Sequence, residues 1–163
     1  MKRTTLPIVA LTLSAASVGC AWTVNIALYR LWPLVPVDAF PAYQAAHERH
    51  FVPLAALLGI PNLIVAILLA RRGLPAMPRW FLWVGALLAL VPWVATPAYF
   101  IPLQSQLALS GPTPELVAQL VTADMALRAM PVTLQLGMVL WALRNTCYRE
   151  GNEQQRRATT LRR

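Results

Sequence analysis

The stretch FPAYQAAHERH at residues 40–50 gathers ionisable side chains in a chain that is otherwise largely apolar. It contains both histidines of the chain, His47 and His50, with Glu48 and Arg49 between them. A neutral imidazole suits proton transfer near neutral pH, and a neighbouring carboxylate can orient it. We therefore take His47 as a candidate catalytic base and Glu48 as a candidate partner for it.

Two other interpretations of the histidines stay open at this point. Amphipathic side chains settle at the headgroup level of a membrane without doing any chemistry. A metal role would need a third ligand, such as Glu48 or Asp124, because two histidines three residues apart are a weak metal signal and HERH is not the HExxH zinc pattern. The sequence therefore predicts no metal at this stretch.

Asp124 and Arg128 form a second pair of ionisable residues, four positions apart in an apolar segment. On a helix this spacing places both side chains on one face. An arginine in an apolar layer is costly unless it is paired or faces the bundle interior, so we expect an inward ion pair that Glu48 extends. In a catalytic site, Asp124 would be an alternative orienting group for the base, and Arg128 or Arg49 would stabilise a developing oxyanion. A purely structural ion pair is the alternative.

The composition identifies the kind of element that must position these residues. Hydrophobic residues make up 58% of the 163-residue chain and charged residues only 12%. A soluble domain usually carries about twice that charged fraction. The excess apolar surface therefore predicts a lipid environment, and the length predicts a single domain.

Apolar stretches long enough to cross a bilayer recur along the chain. The first is followed by a proline-rich break, and the second by Arg71 and Arg72. Thr113 has the character of an N-cap, so the fourth helix is predicted to begin there. The second helix is predicted to begin near residue 39. The second and fourth helices would therefore extend beyond the membrane on the outer side. The four predicted spans are residues 6–28, 51–70, 80–101 and 125–144.

Prolines inside the predicted spans favour membrane helices over a soluble bundle. Each interior proline costs about 3 kcal/mol in a soluble helix, whereas neighbouring helices in a membrane can satisfy the freed carbonyls. They also predict kinks that leave room for a ligand. The fold class is therefore all-α, an integral membrane four-helix bundle. The prolines concerned lie at positions 53, 61, 92, 97 and 131.

The distribution of basic residues predicts the orientation of the bundle. Of the 14 basic residues, 11 precede the first span, separate the second from the third, or follow the fourth. The positive-inside rule then places both termini in the cytoplasm, in a multi-pass protein of the cell inner membrane. Residues 1–144 form the predicted transmembrane domain, and residues 145–163 a basic, disordered cytoplasmic tail. The partners expected are the lipid bilayer and no nucleic acid, because no aromatic residues are interleaved with the dispersed basic residues.

The first span also has features of a cleavable signal. A basic start, an apolar core and small residues lead up to Cys20. However, Ser17 stands where a lipoprotein signal would prefer leucine, and apolar sequence continues beyond the cysteine. An uncleaved span is therefore the preferred interpretation, and no disulfide with Cys147 is expected.

Counting depth along each span predicts a shared polar level. About 20 residues of helix cross the bilayer, so each count from the cytoplasmic side ends near the outer interface. The four counts end at Asn25, at Phe51 beside His50, at Tyr99 and at Asp124. Tyr43, at the same face of the second helix as His47, would hold a substrate together with Asn25, Arg49 and Tyr99. The expected ligand is a flat, lipophilic small molecule with one polar end, and the expected rim is Trp22, Trp32, Trp93 and Tyr99.

The same region carries a resemblance to a known family. The pattern W-x2-N-x3-Y-x3-P-x6-F-x2-Y-x3-H-x-R is formed by Trp22, Asn25, Tyr29, Pro33, Phe40, Tyr43, His47 and Arg49. It resembles the first-loop signature of small four-helix bacterial membrane proteins of the anthrone-oxygenase-like kind. This resemblance implies a four-helix membrane bundle, and oxygenation of an activated polycyclic phenol without any cofactor. Asn25 stands where many such relatives have glutamine.

Two classes of function follow from these residues. An oxygenase-like enzyme would use acid/base chemistry on a lipophilic polycyclic or phenolic substrate, and the same groups suit an isomerase or cyclase. The alternative is a non-catalytic membrane subunit for binding, assembly or accessory transport. Four short spans leave little room for a gated path in a single chain, so a transport role would require a homo-oligomer.

Overall fold

A computed structural model describes the backbone of residues 5–74 and 77–160, and the side chains of these residues as far as Tyr148. Over this part the chain forms four long helices, each with the length and apolar composition needed to cross a membrane. The predicted all-α fold is confirmed. The helices are α1 (Thr5–Leu34), α2 (Phe40–Arg72), α3 (Arg79–Ser110) and α4, which begins at Pro114 and continues to Thr160, its apolar span being Pro114–Tyr148.

Local chemistry explains where the helices end and begin. α2 ends at Gly73 and α3 at Gly111, and both glycines have positive φ angles, of 73° and 81°. That backbone conformation suits glycine because it has no Cβ. Before α4, the Thr113 hydroxyl accepts a hydrogen bond from the Leu116 amide at 3.3 Å, and Pro114 occupies the first turn. The predicted start of the fourth helix is therefore confirmed.

Three helices contain a widened, π-helical turn. The turns cover Val24–Leu28 in α1, Thr96–Phe100 in α3 and Met125–Ala129 in α4. Two of them stand beside prolines: Pro97 has no amide hydrogen for the Trp93 carbonyl, and Pro131 has none for that of Leu127. The amide that follows each π turn bonds instead to the carbonyl five residues earlier.

The four helices form a closed ring in which neighbours in sequence are neighbours in space. α1 packs against α2 and α4, and α3 packs against the same two helices. Connections at 35–39, 73–78 and 111–113 reverse the chain between successive helices. We call the end with connection 73–78 the terminal end, because α1 begins there at Thr5 and α4 ends on that side at Thr160, and the opposite end the distal end.

The terminal half of the bundle is packed through small side chains. Buried alanines from all four helices form one cluster with Leu6, Leu69 and Leu82. Small residues let membrane helices approach closely, which increases their van der Waals contact. The alanines are Ala10, Ala66, Ala70, Ala86, Ala89 and Ala142.

A hydrogen-bonded amide pair lies at the distal edge of this half. Asn62 Nδ2 donates to Gln135 Oε1 at 2.9 Å, and Gln135 Nε2 donates back to Asn62 Oδ1 at 3.3 Å. The Ser14 hydroxyl also donates to Asn62 Oδ1, at 3.1 Å. The pair thus connects α2 with α4, which lie opposite each other in the ring.

The distal half is packed through aromatic side chains. Tyr29, Trp32, Phe40 and Phe100 are each at most 1% exposed and share a cluster with leucines of α3 and α4. Large apolar side chains cover the outside of both halves, as expected for a surface that meets lipid. Among the most exposed are Ile8, Leu34, Leu57, Leu87, Val94, Leu109 and Leu134.

Two expectations extend beyond what these residues describe. The backbone of α4 is helical as far as Thr160 and thus enters the segment predicted as a disordered tail. The expectation of a disordered tail over residues 145–163 stays a prediction. Four of the basic residues used to predict the orientation lie outside the described residues: Lys2, Arg3, Arg162 and Arg163.

Candidate functional site

The guanidinium group of Arg128 is the centre of a polar network in the distal half. Its Nη1 donates to the Tyr29 hydroxyl at 3.2 Å and to Asp124 Oδ1 at 3.4 Å, and its Nη2 donates to Thr96 Oγ1 at 2.8 Å. Its planar face lies 3.7 Å from the centre of the Phe100 ring. These contacts hold the charged group in a fixed position inside an apolar bundle, as an intramembrane arginine requires.

Asp124 is the charged partner of Arg128 and is itself held by Asn25. Asp124 is 1% exposed, and its Oδ2 accepts a hydrogen bond from Asn25 Nδ2 at 3.0 Å. The same Asn25 nitrogen also donates to the Val121 carbonyl, at 2.8 Å. The predicted inward pair of Asp124 and Arg128 is confirmed, but Asn25 of α1 extends it in place of Glu48, which accepts a hydrogen bond from Gln44.

The three π turns converge on this network. Arg128 lies in the π turn of α4, Thr96 begins that of α3, and Tyr29 directly follows that of α1. Such turns rotate the side chains that follow them and are frequent at functional sites. Here they bring the acceptors of α1 and α3 to one guanidinium group. The Thr96 hydroxyl is fixed further because it donates to the Pro92 carbonyl at 2.7 Å.

His47 is held by aromatic rings. Its imidazole stacks on Phe51, with ring centres 5.1 Å apart and an angle of 12° between the planes. The edges of Trp32 and Tyr29 approach it at centre distances of 5.5 Å and 6.4 Å. Among the side chains described, none forms a hydrogen bond with either ring nitrogen. The nitrogens are thus available to a ligand, while the ring has little freedom to rotate.

The carboxylates do not orient His47 as the sequence suggested. Glu48 accepts a hydrogen bond from Gln44 Nε2 at 3.0 Å, and Asp124 is occupied by Asn25 and Arg128. The expectation of a carboxylate bonded to the imidazole is therefore wrong for this structure. The reason is helix geometry: Glu48 follows His47 directly, so the two side chains leave α2 in different directions.

A cavity of about 480 Å³ lies beside these residues, between all four helices. His47, Glu48, Asp124, Arg128 and Tyr29 line its distal end. Its body is mostly apolar, with a few small polar groups at depth. The lining of the body includes Ser17, Cys20, Ala21, Val24, Phe51, Ala55, Ala56, Gly59, Ala89, Pro92, Trp93 and Val132. Volumes of about 300–1,000 Å³ with a few polar groups are usual for small-molecule sites.

The predicted catalytic and binding residues separate into two groups in the structure. All four predicted catalytic residues, His47, Glu48, Asp124 and Arg128, line the one cavity. None of the four predicted substrate-binding residues does so. Asn25 is buried behind Asp124 and donates to its carboxylate and to the Val121 carbonyl.

The other three predicted binding residues lie away from the cavity for separate reasons. Tyr43 packs against Phe40 and Trp32 at the distal tip, and Arg49 is exposed. The Tyr99 hydroxyl accepts a hydrogen bond from Gln119 Nε2 at 2.9 Å on the outside of the bundle. Tyr99 shows that depth along a helix does not determine which face of the helix a residue occupies.

The predicted aromatic rim is correct only for Trp93. Trp22 donates from Nε1 to the Thr133 hydroxyl at 3.0 Å, outside the cavity. Trp32 is fully buried among Tyr29, Phe40, Tyr43 and His47. Trp32 thus supports the imidazole from behind and does not line the cavity rim.

Sequence reasoning missed three residues that contact Arg128 directly: Tyr29, Thr96 and Phe100. Tyr29 belongs to the pattern that carries the family resemblance, and its position four residues after Asn25 was a usable signal. No pattern in the sequence marked Thr96 or Phe100. Their role depends on the π turn, which requires knowledge of the helix ladder.

The site has the groups needed to bind an anion and to move a proton. Of the five N–H donors of Arg128, three go to acceptors in the described chain, which leaves two for a ligand. His47 offers a free ring nitrogen at the same end of the cavity. In the part of the chain described, no group of three or more His, Cys, Asp or Glu residues is arranged to hold a metal ion.

Comparisons with known proteins give no functional assignment, so the geometry of the site is the basis for one. No family model matches the sequence, and no curated protein and no solved structure is similar to it.

Proposed function

We propose that this chain is a multi-pass inner-membrane protein with both termini in the cytoplasm, and that its distal cavity binds a lipophilic molecule through one acidic or hydroxyl-bearing end. We further propose that His47 removes a proton from that molecule, in an oxygenase-like reaction. The observation that carries the proposal is the placement of a fixed guanidinium and an uncommitted imidazole at one end of an apolar cavity.

The membrane orientation rests on the basic residues of the terminal end. Arg71, Arg72, Arg79 and Arg144 are all exposed there, whereas the distal end carries few basic residues. By the positive-inside rule the terminal end faces the cytoplasm. The cavity then lies in the outer half of the membrane, and its polar end lies near the outer headgroup level.

The form of the cavity supports a ligand with one polar end. Its body is built mainly from alanine, valine, proline and tryptophan, which favour a flat hydrocarbon. Arg128 can donate to an oxygen atom through the two N–H groups that have no acceptor in the described chain. A charge-assisted hydrogen bond of this kind contributes about 1.5–3 kcal/mol. The polar end of the ligand is thus held against Arg128 and Tyr29.

The positions of His47 and Arg128 support proton removal at that end. A base and an electrostatic stabiliser act together when one takes the proton and the other stabilises the resulting negative charge. Tyr29 lies between the two, since its ring contacts the imidazole and its hydroxyl contacts the guanidinium. The Asp124 carboxylate balances the charge of Arg128 and keeps it in place.

The oxygenation step rests on the family resemblance and on no feature of the cavity. In a substrate with an acidic CH₂ group, His47 would take one proton and leave a carbanion stabilised by the ring system. The carbanion would add O₂ to give a peroxide anion, which would take the proton back from His47. The resulting hydroperoxide would lose water to leave a ketone. One oxygen atom enters the product, the other leaves as water, and no cofactor is required.

A pair of fluorescent probes tests the binding part of the proposal. 1-Hydroxypyrene has a hydroxyl group on a flat aromatic body, and pyrene has the same body without it. In detergent micelles, 1-hydroxypyrene should bind at least tenfold more tightly than pyrene, and Arg128→Gln should remove that difference. Equal affinities for the two probes in the unmodified protein would refute the proposed polar recognition.

A separate measurement tests the chemistry. Anthrone, a lipophilic substrate with an acidic CH₂ group, should be oxidised by the unmodified protein with uptake of O₂. His47→Gln should lower the rate at least a hundredfold, because general-base catalysis contributes about 10²–10⁴-fold. His50→Gln is the matched control, since His50 is exposed and outside the cavity. Both variants should retain the helix content and the 1-hydroxypyrene affinity of the unmodified protein.

The alternative function is a non-catalytic subunit that binds a lipophilic molecule for assembly or transport. The absence of a hydrogen-bonded orienting group on His47 in the described chain favours it, because an imidazole held only by packing is a weaker base catalyst. Probe binding without any turnover would support this alternative. A second copy of the chain is a further predicted partner, and size measurements in detergent would test it.

A further inference from the structure

The cavity is open on one side of the bundle, between α2 and α3. Four of its lining residues are exposed on the bundle surface: Glu48 and Val52 on α2, and Ile101 and Ser105 on α3. Val52 is 58% exposed and Ile101 is 55% exposed, although both also face the cavity. Residues that line a cavity and are exposed at the same time mark its mouth, which we call the window.

The packing of α2 and α3 explains why a gap exists at this place. Towards the terminal end, Ala66 and Ala70 of α2 share a tight cluster with Leu82 and Ala86 of α3. At the distal tip, α2 and α3 belong to a second cluster through Phe40, Leu103 and Leu107. Between these two zones the π turn at Thr96–Phe100 shifts the course of α3. The window lies in that middle stretch.

The window ends, on its side towards the terminal end, at a close contact between α2 and α3. A Cβ atom on Gly59 would lie 2.8 Å from the Trp93 ring, so the ring lies directly against the α2 backbone. From Glu48 to Gly59 the window extends about 16 Å along α2, at 1.5 Å per residue. That length is about half the thickness of a bilayer core.

The two edges of the window have the same polarity at each depth. On both helices the residue nearer the distal end is polar, Glu48 and Ser105, and the residue one turn deeper is apolar, Val52 and Ile101. This order matches the boundary between lipid headgroups and acyl chains. An opening towards water would have no reason to place exposed valine and isoleucine on its two edges.

We infer that the window is a lateral portal to the bilayer, and that the occupant of the cavity is an amphiphile already dissolved in the membrane. It moves sideways between α2 and α3 with its polar end at the level of Glu48 and Ser105 and its hydrocarbon at the level of Val52 and Ile101. Inside, the polar end moves deeper along α3 to reach Arg128, which contacts Thr96 and Phe100. This inference rests on the proposed binding function and specifies the source of its ligand.

Tryptophan substitutions on the two edges test the portal. Val52→Trp and Ile101→Trp each place a large ring across the window, and Leu57→Trp is the control because Leu57 is 68% exposed on α2 and does not line the cavity. The probe is 1-hydroxypyrene in vesicles of phosphatidylcholine and phosphatidylglycerol, followed by stopped-flow fluorescence. We expect the association rate to fall at least tenfold in both edge variants and to stay unchanged in the control.

An unchanged association rate in both edge variants, with binding intact, would overturn the portal and leave the proposed function standing. Failure of the unmodified protein to bind the probe would overturn the proposed function, and the portal with it. A variant that does not fold is replaced by the one on the opposite edge.

Quenching in the unmodified protein gives a second, independent readout. With protein in excess, probe fluorescence should be quenched by lipids that carry a nitroxide near the headgroup end of the acyl chain, and not by aqueous iodide. The opposite pattern would show a cavity open to water and would overturn the inference.

Discussion

The two halves of the bundle are built from the same four helices but solve different packing problems. In the terminal half, buried alanines allow the helices to approach closely, and the polar groups Asn62 and Gln135 satisfy each other. In the distal half, π turns shift the course of the helices, and aromatic rings fill the space between them around a cavity. There the central charge, Arg128, donates three hydrogen bonds within the described chain and lines the cavity.

This difference separates stability from function along the axis of the molecule. A closed polar pair such as Asn62 and Gln135 stabilises the bundle and needs no ligand. An ion pair inside a partly open cavity stabilises the bundle less efficiently, because both charges lose water, and such groups mark functional sites in membranes. Substitutions in the two halves should therefore affect different measurements.

The largest effect is expected for Arg128→Leu in the distal half. Removal of the guanidinium leaves Asp124 buried without its charged partner, which should lower the free energy of unfolding by about 3–5 kcal/mol. Unfolding in mixed detergent and SDS micelles measures this change. Asp124→Asn added to the same chain should recover a large part of the loss, because the buried carboxylate is then removed. A single variant as stable as the unmodified protein would contradict the proposed network.

A smaller effect is expected for Gly59→Ala at the boundary between the halves. The added Cβ would lie 2.8 Å from the Trp93 ring, so this ring, which lines the cavity, must move away from α2. We expect a loss of about 1–3 kcal/mol in the free energy of unfolding and weaker binding of 1-hydroxypyrene. Gly137→Ala is the matched control, since no atom lies within 4 Å of its Cβ position. The control should gain about 0.5–1 kcal/mol through helix propensity.

Gln135→Leu tests the amide pair, of which Asn62 but not Gln135 lines the distal cavity. It removes one partner of the amide pair, and interhelical hydrogen bonds in membranes contribute about 0.6 kcal/mol on average and at most about 1.7 kcal/mol. The free energy of unfolding should decrease by an amount in that range. The affinity for 1-hydroxypyrene should stay unchanged, because Gln135 does not line the distal cavity. A large loss of probe affinity would show that the two halves are coupled.

The smallest effect is expected for Arg49→Ala. The sequence suggested Arg49 as a substrate contact, but the side chain is exposed and lies outside the cavity. Stability should change by less than about 0.5 kcal/mol, and both probe affinity and anthrone turnover should be retained. Loss of probe affinity or of anthrone turnover would show that Arg49 belongs to the site, and would contradict its placement outside the cavity.

Prediction from the sequence worked best for features that depend on depth and on local chemistry. The span of each helix follows from apolar length, and the start at Pro114 follows from Thr113 as a cap. The pairing of Asp124 with Arg128 follows from spacing on one helix and from the cost of an isolated charge in an apolar layer. That these residues lie near His47 follows from counting along the second and fourth helices to one level.

Prediction failed where the rotation of a helix about its axis mattered. Tyr99 lies at the expected depth but faces away from the cavity, and Tyr43 lies on the expected helix but packs at its tip. A π turn inserts an extra residue into the ladder and so rotates all that follows, which no count of 3.6 residues per turn anticipates. Thr96 and Phe100 reach Arg128 only because of such a turn.

The sequence by itself determined that this chain forms four apolar helices and that its few charged groups gather at one level of the bundle, because the hydrophobic effect and the cost of buried charge act on composition and spacing. Only the tertiary structure decided which of those groups share a cavity, which support it from behind, and where it opens. Those features depend on helix rotation and on the fit between neighbouring helices, which no single stretch of sequence contains.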